Sequence, residues 1–285
     1  MTIREALKSA EAALAAAGVP DAQTDARLLL SHVTGMESMQ MRLSPSLALT
    51  GEQEGRLRAL LRLRAGRRPL QYLLGTQCFY GFDLRVDERA LIPRQETETL
   101  CEIGMEFLRE LHAKGMAQPK ALDLCTGSGA LAVALKQLCP WACVAATDMS
   151  ADALALAREN AALVEADVAL RMGDLFAPVK GERFDLILSN PPYVPTAECA
   201  ALQAEVRFEP VMALDGGEDG LAFYRRIAWD APEFMLPGGL LAVEVGDGQA
   251  AAVAALLEQV GFTAVAVRND LYGKARVVSA RAAFT

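Results

Sequence analysis

Apolar residues in the first seventy or so positions recur with the spacing of helices. Thr2 with Glu5 forms the pattern of a capping box ahead of one apolar stretch, and Thr50 with Gln53 repeats the pattern before another. Between them, Asp21 can begin a further helix. The pattern predicts a small helical domain, which carries no catalytic motif of its own.

The next segment, from roughly 76 to 94, changes to a period of two, which is the period of a strand. We therefore predict a short hairpin that acts as a linker. The apolar side chains predicted to share one side of it are Cys78, Tyr80, Phe82, Leu84 and Val86.

An amphipathic helix from Thr97 to Lys114 leads into the second half of the chain. From Lys120 onward apolar runs alternate with helical patterns, which predicts a parallel sheet with right-handed crossovers. The last two apolar segments, Thr263 to Val267 and Ala275 to Ala280, are close in sequence and predict a closing antiparallel hairpin.

Ligand-binding patterns follow the predicted strands. The turn from Cys125 to Gly129 contains glycines that let backbone N–H groups approach a ligand. The next strand ends at Asp148, whose carboxylate can accept both hydroxyls of a ribose or can cap the following helix. A third strand, Val168 to Met172, leads into Gly173 to Phe176, which can frame an adenine edge. Because ligands in such sheets bind beyond the carboxyl ends of the strands, these positions should meet in one crevice.

The fourth apolar strand, Phe184 to Ser189, is followed directly by Asn190, Pro191, Pro192 and Tyr193. The asparagine offers an acceptor carbonyl, each proline has a carbonyl but no N–H, and the tyrosine adds a flat aromatic face. Such a cluster can hold a planar NH2 group. The alternative interpretation is a proline-stiffened turn with a tyrosine at the surface.

Charge and composition restrict the class of protein. The chain has 285 residues, of which 52% are hydrophobic, and a net charge of −8. This balance argues against binding through general phosphate neutralisation, and so against a nucleic-acid partner. One basic run can contact an acidic or RNA partner or form a solvated helix face, and it contains Arg56, Arg58, Arg62, Arg64, Arg67 and Arg68.

The six cysteines have neither the spacing of a disulfide framework nor the close pairs of a zinc site. They indicate reduced thiols, and we expect no metal. His32 and His112, the two histidines, lie outside the motif region. The N-terminal segment is too charged for a signal-peptide core, and no apolar stretch approaches membrane-spanning length. We therefore expect a cytoplasmic protein without membrane contact.

The motifs taken in order resemble the class I S-adenosylmethionine-dependent methyltransferases, and among them the glutamine-N5 methyltransferases of peptide chain release factors. The resemblance covers nearly the whole chain and rests on the segments at 68–75, 79–81, 91–98, 121–133, 148, 189–194, 214–221 and 244–249. It implies a Rossmann-like α/β fold with a seven-stranded, mostly parallel sheet and an antiparallel C-terminal hairpin. It also implies a helical substrate-docking domain at 1–75, a hairpin linker at 76–95 and a methyltransferase domain at 96–285.

The resemblance also assigns the site. The residues implied to line the S-adenosylmethionine site are Cys125, Thr126, Gly127, Ser128, Gly129, Asp148, Leu175 and Asn190. The residues implied to bind the substrate and carry catalysis are Asn190, Pro191, Pro192 and Tyr193. S-adenosylmethionine is then a co-substrate, and no metal is needed.

The implied reaction is methylation of the side-chain N5 of the glutamine in the Gly-Gly-Gln motif of a release factor. The Asn190 side-chain oxygen and the Pro191 carbonyl would accept the two amide hydrogens and direct the nitrogen lone pair at the methyl group. One alternative is an N6-adenine nucleic-acid methyltransferase acting on a flipped base, which would normally have a basic target-recognition region. Another is a nucleotide-binding regulatory module without catalysis.

Two positions depart from the family pattern. Cys125 stands where the glycine turn normally opens with glycine, and Gln95 stands where a second proline usually follows Arg94. A Cβ at position 125 requires a negative φ, so donor affinity depends on the conformation of that residue. Gln95 should loosen a loop near the entrance of the site.

Overall fold

The computed structural model describes residues 1–270 and 272–283, which divide into two units. One unit comprises Met1–Thr76 with Gln203–Phe208. The other comprises Gln77–Leu202 with the described residues of Glu209–Thr285. Among the described residues, no helix combines the length and the apolar character needed to cross a bilayer.

The first unit is helical, as predicted. Its helices are α1 (Ile3–Ala16), α2 (Ala22–Thr34), α3 (Ser38–Leu43), α4 (Gly51–Ala65) and α5 (Leu70–Leu74). Both predicted capping boxes, at Thr2 and at Thr50, are formed. The short helices α3 and α5 were not predicted, because each is too brief for its periodicity to be recognised. The core of this unit collects the apolar faces of these helices.

The basic run on α4 is only partly a solvated face. Arg64 is buried, and its Nε lies 2.7 Å from Asp25 Oδ2, while its Nη1 lies 3.0 Å from Glu205 Oε1. Arg67 donates to both Glu205 oxygens at 2.7 Å. Hydrogen bonds from Arg67 and Arg64 lower the pKa of Glu205 to about 2. Within this unit the inner arginines therefore serve its own packing rather than an acidic or RNA partner.

The predicted hairpin consists of β1 (Thr76–Phe79) and β2 (Phe82–Arg85), joined by Tyr80 and Gly81. Both joining residues have positive φ, at 49° and 85°, which is typical of a tight two-residue hairpin turn. The prediction of one shared apolar side is wrong for Cys78, which is exposed, whereas Phe79, Leu84 and Val86 are buried. The two-residue turn interrupts the alternation of inward and outward side chains. The faces of the second strand therefore cannot be predicted by continuing the alternation of the first.

The rest of the second unit alternates helices with strands. Its elements are α6 (Thr97–Ala113), β3 (Lys120–Leu124), α7 (Ala130–Leu138), β4 (Cys143–Asp148), α8 (Ala151–Leu163), β5 (Val168–Met172), β6 (Phe184–Ser189), α9 (Thr196–Cys199), α10 (Ala222–Phe234), β7 (Met235–Glu244), α11 (Ala250–Gln259), β8 (Thr263–Asn269) and β9 (Ala275–Arg281).

These strands form a seven-stranded sheet in the order β5-β4-β3-β6-β7-β9-β8. The first five strands of that order are parallel, and β9 pairs antiparallel with both β7 and β8. The predicted mostly parallel sheet with its antiparallel C-terminal hairpin is therefore confirmed. Alternate residues of each strand face two separate apolar clusters, because successive side chains of a strand point to opposite faces.

The register of the central strands determines where the ligand-binding patterns lie. Leu124, the last residue of β3, pairs with Thr147 of β4 and with Ser189 of β6. The segments that follow these strands therefore leave the sheet at the same edge. This places the glycine turn, Asp148 and Asn190 side by side, as expected for an open α/β sheet.

Candidate active site

A cleft lies at this edge of the sheet, entirely within the second unit. The predicted donor-site residues that line it are Cys125, Thr126, Gly127, Ser128, Asp148, Leu175 and Asn190. Gly129 does not line it and instead packs against α8, where a Cβ would lie 2.9 Å from the Ala157 Cβ.

The glycine turn between β3 and α7 is held by short-range hydrogen bonds. Thr126 donates its backbone N–H to the Thr147 carbonyl at 3.1 Å and its hydroxyl to Asp123 Oδ2 at 2.6 Å. Gly127 donates its backbone N–H to Asp148 Oδ2 at 2.8 Å and has a φ of 55°. The turn leads directly into α7, so the positive end of that helix is adjacent to the cleft.

Cys125 adopts a φ of 59°, so the expectation that its Cβ requires a negative φ is wrong. A left-handed conformation costs a residue with a Cβ about 1–2 kcal/mol. The turn imposes this conformation, since its neighbours are fixed by the contacts of Thr126 and Gly127. Burial, together with the charges of Asp148 and Asp123, raises the pKa of the Cys125 thiol. The thiol is therefore protonated and uncharged at neutral pH.

Asp148 connects the turn to the start of α8. Its Oδ2 accepts from Gly127, and its Oδ1 accepts from the Ser150 backbone N–H at 2.8 Å. The alternative interpretation of Asp148 as a helix cap is wrong, because Ser150 caps α8 through its own hydroxyl. Burial raises the pKa of Asp148. Each carboxylate oxygen retains a lone pair, so the group can still accept hydroxyl hydrogens.

The sequence did not single out Asp123, which lies in the buried strand β3 and also lines the cleft. Burial raises its pKa to about 7, against the opposing hydrogen bond from Thr126. The signal in the sequence was a lone carboxyl group between two leucines near the end of the strand, just before the turn. Leu175, on the neighbouring segment, has a φ of 47° and is held by the Thr147 hydroxyl, which donates to its carbonyl at 3.0 Å.

Asn190 follows β6 and lines the cleft beside Pro192. Its Nδ2 donates to the Thr97 hydroxyl oxygen at 3.1 Å, and among the residues that the structure describes no hydrogen bond to its Oδ1 is found. Pro191 is buried, and burial raises the pKa of Tyr193 to about 12, so the phenol is neutral. Of residues 190–193, Asn190 and Pro192 line the cleft, whereas Pro191 and Tyr193 are not among the residues that line it.

The acceptor loop, which we define as residues 190–193, is anchored by Gln249. Its Nε2 donates to the Tyr193 carbonyl at 2.9 Å, while its Oε1 accepts from the Gly246 backbone N–H at 3.0 Å. One side chain thus joins the loop to the segment after β7.

A glycine-containing segment covers the other side of the acceptor loop. Gly216 donates to the Val194 carbonyl at 2.8 Å, and a Cβ on Gly216 would lie 2.7 Å from the Tyr193 Cα and 2.8 Å from the Pro192 carbonyl oxygen. At Gly220, a Cβ would collide with the Tyr193 carbonyl oxygen. Only glycine permits this approach of one backbone to another.

The cleft is also lined by Pro93 and Arg94. Glu209, which is buried, accepts from the Ile92 backbone N–H at 2.9 Å and forms an ion pair with Arg94. Glu209 was missed by the sequence analysis because its partners are more than a hundred positions away. Gln95 is exposed, and its carbonyl accepts from the Glu98 backbone N–H at 3.0 Å. Whether it loosens the loop stays a prediction.

The chemistry of the cleft suits a polar organic ligand. It offers a carboxylate with spare acceptor capacity, the side-chain oxygen of Asn190 and apolar walls. Among the described residues, no group of His, Cys, Asp and Glu side chains is arranged to hold a metal ion. His112 lies away from the cleft and stacks on Trp141 with a centroid separation of 4.4 Å.

Comparison with known proteins identifies the family. A model of the PrmC N-terminal domain matches residues 5–75, and a model of the methyltransferase small domain matches residues 101–207. The release factor glutamine methyltransferase of Geobacter sulfurreducens is 44% identical to this chain over 98% of the chain and 96% of that protein. That of Deinococcus radiodurans is also 44% identical, over 99% of each.

A crystal structure of a methyltransferase from Pyrococcus furiosus is similar in fold, with a TM-score of 0.52 and 18% identity over 73% of this chain and 92% of that one. The likeness in fold agrees with the sheet described above. Identity to the curated relatives over nearly the full length shows that this chain is a methyltransferase and belongs to the release factor glutamine methyltransferase family.

Proposed function

We propose that this chain transfers a methyl group from S-adenosylmethionine to the side-chain N5 of the glutamine in the Gly-Gly-Gln motif of a peptide chain release factor. The observation that carries the proposal is the fixed carboxamide of Asn190, whose nitrogen is bonded to Thr97 and whose oxygen is left to accept a substrate hydrogen. Family membership supports the same substrate.

The donor side of the cleft fits a nucleoside. Asp148 would accept the ribose hydroxyls, Leu175 would contact the adenine, and the turn from Cys125 to Ser128 would hold the amino-acid part with backbone groups. When bound, S-adenosylmethionine supplies a methyl group activated by the positive charge on sulfur.

The acceptor loop would hold the substrate amide. Asn190 Oδ1 and the Pro191 carbonyl would accept the two N5 hydrogens, which orients the nitrogen and stabilises the positive charge that develops on it. Tyr193 would pack on the amide and set its plane. No strong base is required, because the alkylated nitrogen is acidic and loses its proton late.

The helical segment at 1–75 is proposed to dock the release factor, and the free cysteines support a cytoplasmic location. The net charge of −8 and the engagement of Arg64 and Arg67 within their own unit disfavour a nucleic-acid substrate.

The test is a transfer assay with isotope-labelled S-adenosylmethionine, a release factor and, separately, DNA and RNA. Mass spectrometry should find the methyl group on the side-chain nitrogen of the Gly-Gly-Gln glutamine. A release factor with glutamate at that position should receive none, since it has no nitrogen to alkylate. Label on adenine, with the release factor unmodified, would favour the adenine methyltransferase, and donor binding without any transfer would favour a regulatory module.

A further inference from the structure

The acceptor loop has few backbone donors with which to hold its own position. Two of its four residues, Pro191 and Pro192, have no N–H. A segment that is poor in donors is held through its carbonyl oxygens and its side chains, and each buried carbonyl oxygen needs a donor from elsewhere. The position of this loop therefore depends on donors that other segments supply.

Gln249 supplies such a donor. Its Nε2 donates to the Tyr193 carbonyl at 2.9 Å and to the Gly220 carbonyl at 3.4 Å, and its Oε1 accepts from the Gly246 backbone N–H at 3.0 Å. A carboxamide has two N–H hydrogens and one acceptor oxygen, so both hydrogens and the oxygen are engaged. One side chain thus connects three backbone segments of the second unit.

These contacts have a fixed direction. Two of them are made to carbonyl oxygens, which only accept, and the third is made to an N–H, which only donates. A carboxylate of the same length could accept from Gly246 but would turn an acceptor toward both carbonyls. An aliphatic side chain would satisfy none of the three groups. The site therefore requires a carboxamide rather than a side chain of suitable size alone.

The stability of α11 does not account for a glutamine at this position. Gln249 is the N-cap residue of α11, and no backbone N–H of that helix, all of whose residues are described, donates to its side chain. Serine, threonine, aspartate and asparagine are preferred at N-caps because their short side chains reach those N–H groups. The glutamine side chain leaves the helix uncapped and contacts the acceptor loop instead.

Gly246 brings the tyrosine ring and the carboxamide together. A Cβ on Gly246 would lie 3.0 Å from the Tyr193 Cδ2 and 2.9 Å from the Gln249 Oε1. The ring and the carboxamide therefore pack against the same glycine. Gln249 holds the Tyr193 carbonyl directly, and it also holds the backbone on which the Tyr193 ring rests.

We propose that Gln249, acting through Tyr193, is a positioning residue that fixes the acceptor loop where it receives the substrate amide. This inference rests on the proposed function, in which Asn190 and Pro191 accept the two amide hydrogens. Gln249 does not line the cleft, so its loss should leave binding of S-adenosylmethionine unchanged. Turnover should fall, because small displacements of positioning groups lower the rate.

The test compares Gln249→Met with Gln249→Glu. Methionine approximates the length of glutamine without its hydrogen bonds, and glutamate retains only the acceptor for Gly246. We expect both variants to lower kcat for methylation of a release factor by about tenfold to a hundredfold, with the KM for S-adenosylmethionine unchanged. Glutamate should be at least as harmful as methionine, because its carboxylate faces two carbonyl oxygens.

Two controls separate positioning from loss of folded protein. The rate is expressed per donor-binding site counted by titration calorimetry, so an unfolded fraction does not lower it. Gln259→Ala changes an exposed glutamine at the end of the same helix and should keep the parent rate. A kcat within about twofold of the parent chain in Gln249→Met would overturn the inference. Should that variant fail to fold, Gln249→Glu, which keeps the contact with Gly246, is judged by the same limit.

A second readout does not require turnover. The chain has five tyrosines, and in protein labelled with fluorotyrosine the signal of Tyr193 is assigned by its loss in Tyr193→Phe. We expect this fluorine signal to shift or broaden in Gln249→Met and Gln249→Glu and to stay in place in Gln259→Ala. An unchanged signal in both Gln249 variants would overturn the inference. Absence of transfer by the parent chain would instead reject the proposed function, and the fluorine signal would still show whether Gln249 fixes the loop.

Discussion

The two sides of the cleft are built differently. On the donor side, the contacts that hold the turn span shorter distances in sequence: Thr126 to Asp123 spans 3 positions, and Gly127 to Asp148 spans 21. On the acceptor side, Tyr193 depends on Gln249, 56 positions away, and Asn190 depends on Thr97, 93 positions away. A local motif specifies the donor side, whereas the acceptor loop is specified by the tertiary structure around it.

This difference predicts separate effects of mutation. Changes on the donor side should act on binding of S-adenosylmethionine, and changes on the acceptor side should act on turnover. Four substitutions test the separation, taken from the largest expected effect to the smallest.

Asp148→Ala should abolish measurable donor binding and leave the fold intact. Each hydrogen bond to a charged group contributes about 1.5–3 kcal/mol, so losing the contacts to two ribose hydroxyls should weaken affinity a hundredfold or more. Titration calorimetry measures the affinity for S-adenosylmethionine. Asp152→Ala, an exposed acid in the first turn of α8, is the matched control and should bind normally. Near-normal affinity in Asp148→Ala would remove this residue from the site.

Asn190→Ala should retain most of the donor affinity. The activation free energy for turnover should rise by roughly 3 kcal/mol or more, which is the typical effect of removing one preorganised group that stabilises the transition state. The measurement is kcat for methylation of a release factor, with donor affinity from calorimetry as the internal control. A normal rate would mean that the acceptor loop does not hold the amide.

The sequence predicted what depends on local pattern. Its apolar runs gave β5 and β6 with the bounds that the structure has and gave the end of β4 at Asp148. For β6 the reason is that a buried parallel strand is a largely apolar run ended by turn residues. The capping boxes at Thr2 and Thr50 likewise need only a four-residue signal.

What the sequence missed depends on distant partners. Thr97 lies in a segment used for the family resemblance, yet the pattern there does not indicate that Thr97 meets Asn190. Arg64 was placed in a basic run, although the segment at 203–208 supplies a carboxylate to it. The φ of Cys125 was mispredicted because steric preference favours negative values and the contacts of the turn override it.

Gly216→Ala should disturb the acceptor loop without touching the substrate. Its Cβ would meet backbone atoms of Pro192 and Tyr193 at 2.7–2.8 Å, so the loop must shift. Small displacements of positioning groups cost about tenfold to a hundredfold in rate, and we expect a loss in kcat of that size with unchanged donor affinity. Gly55→Ala is the matched control, because a Cβ there has no atom within 4 Å and lies in helix α4. It should leave kcat unchanged. A parent-like rate in Gly216→Ala would show that the loop tolerates movement.

Cys125→Gly tests the donor side at its most strained residue and should have the smallest effect. Relief of the left-handed conformation favours the glycine variant by about 1–2 kcal/mol, while the greater freedom of glycine in the unfolded chain opposes it by about 0.5–1 kcal/mol. The net gain in the free energy of unfolding should therefore lie between about 0 and 1.5 kcal/mol, with donor affinity equal to or above that of the parent chain. Urea unfolding and calorimetry measure the two quantities. Cys125→Ala separates strain from the thiol, because alanine keeps the Cβ and the strained φ but has no sulfur. If both variants bind S-adenosylmethionine much more weakly than the parent chain, the protonated thiol itself contacts the donor. The hydrogen bonds of the turn would then not be sufficient to form the donor side of the cleft.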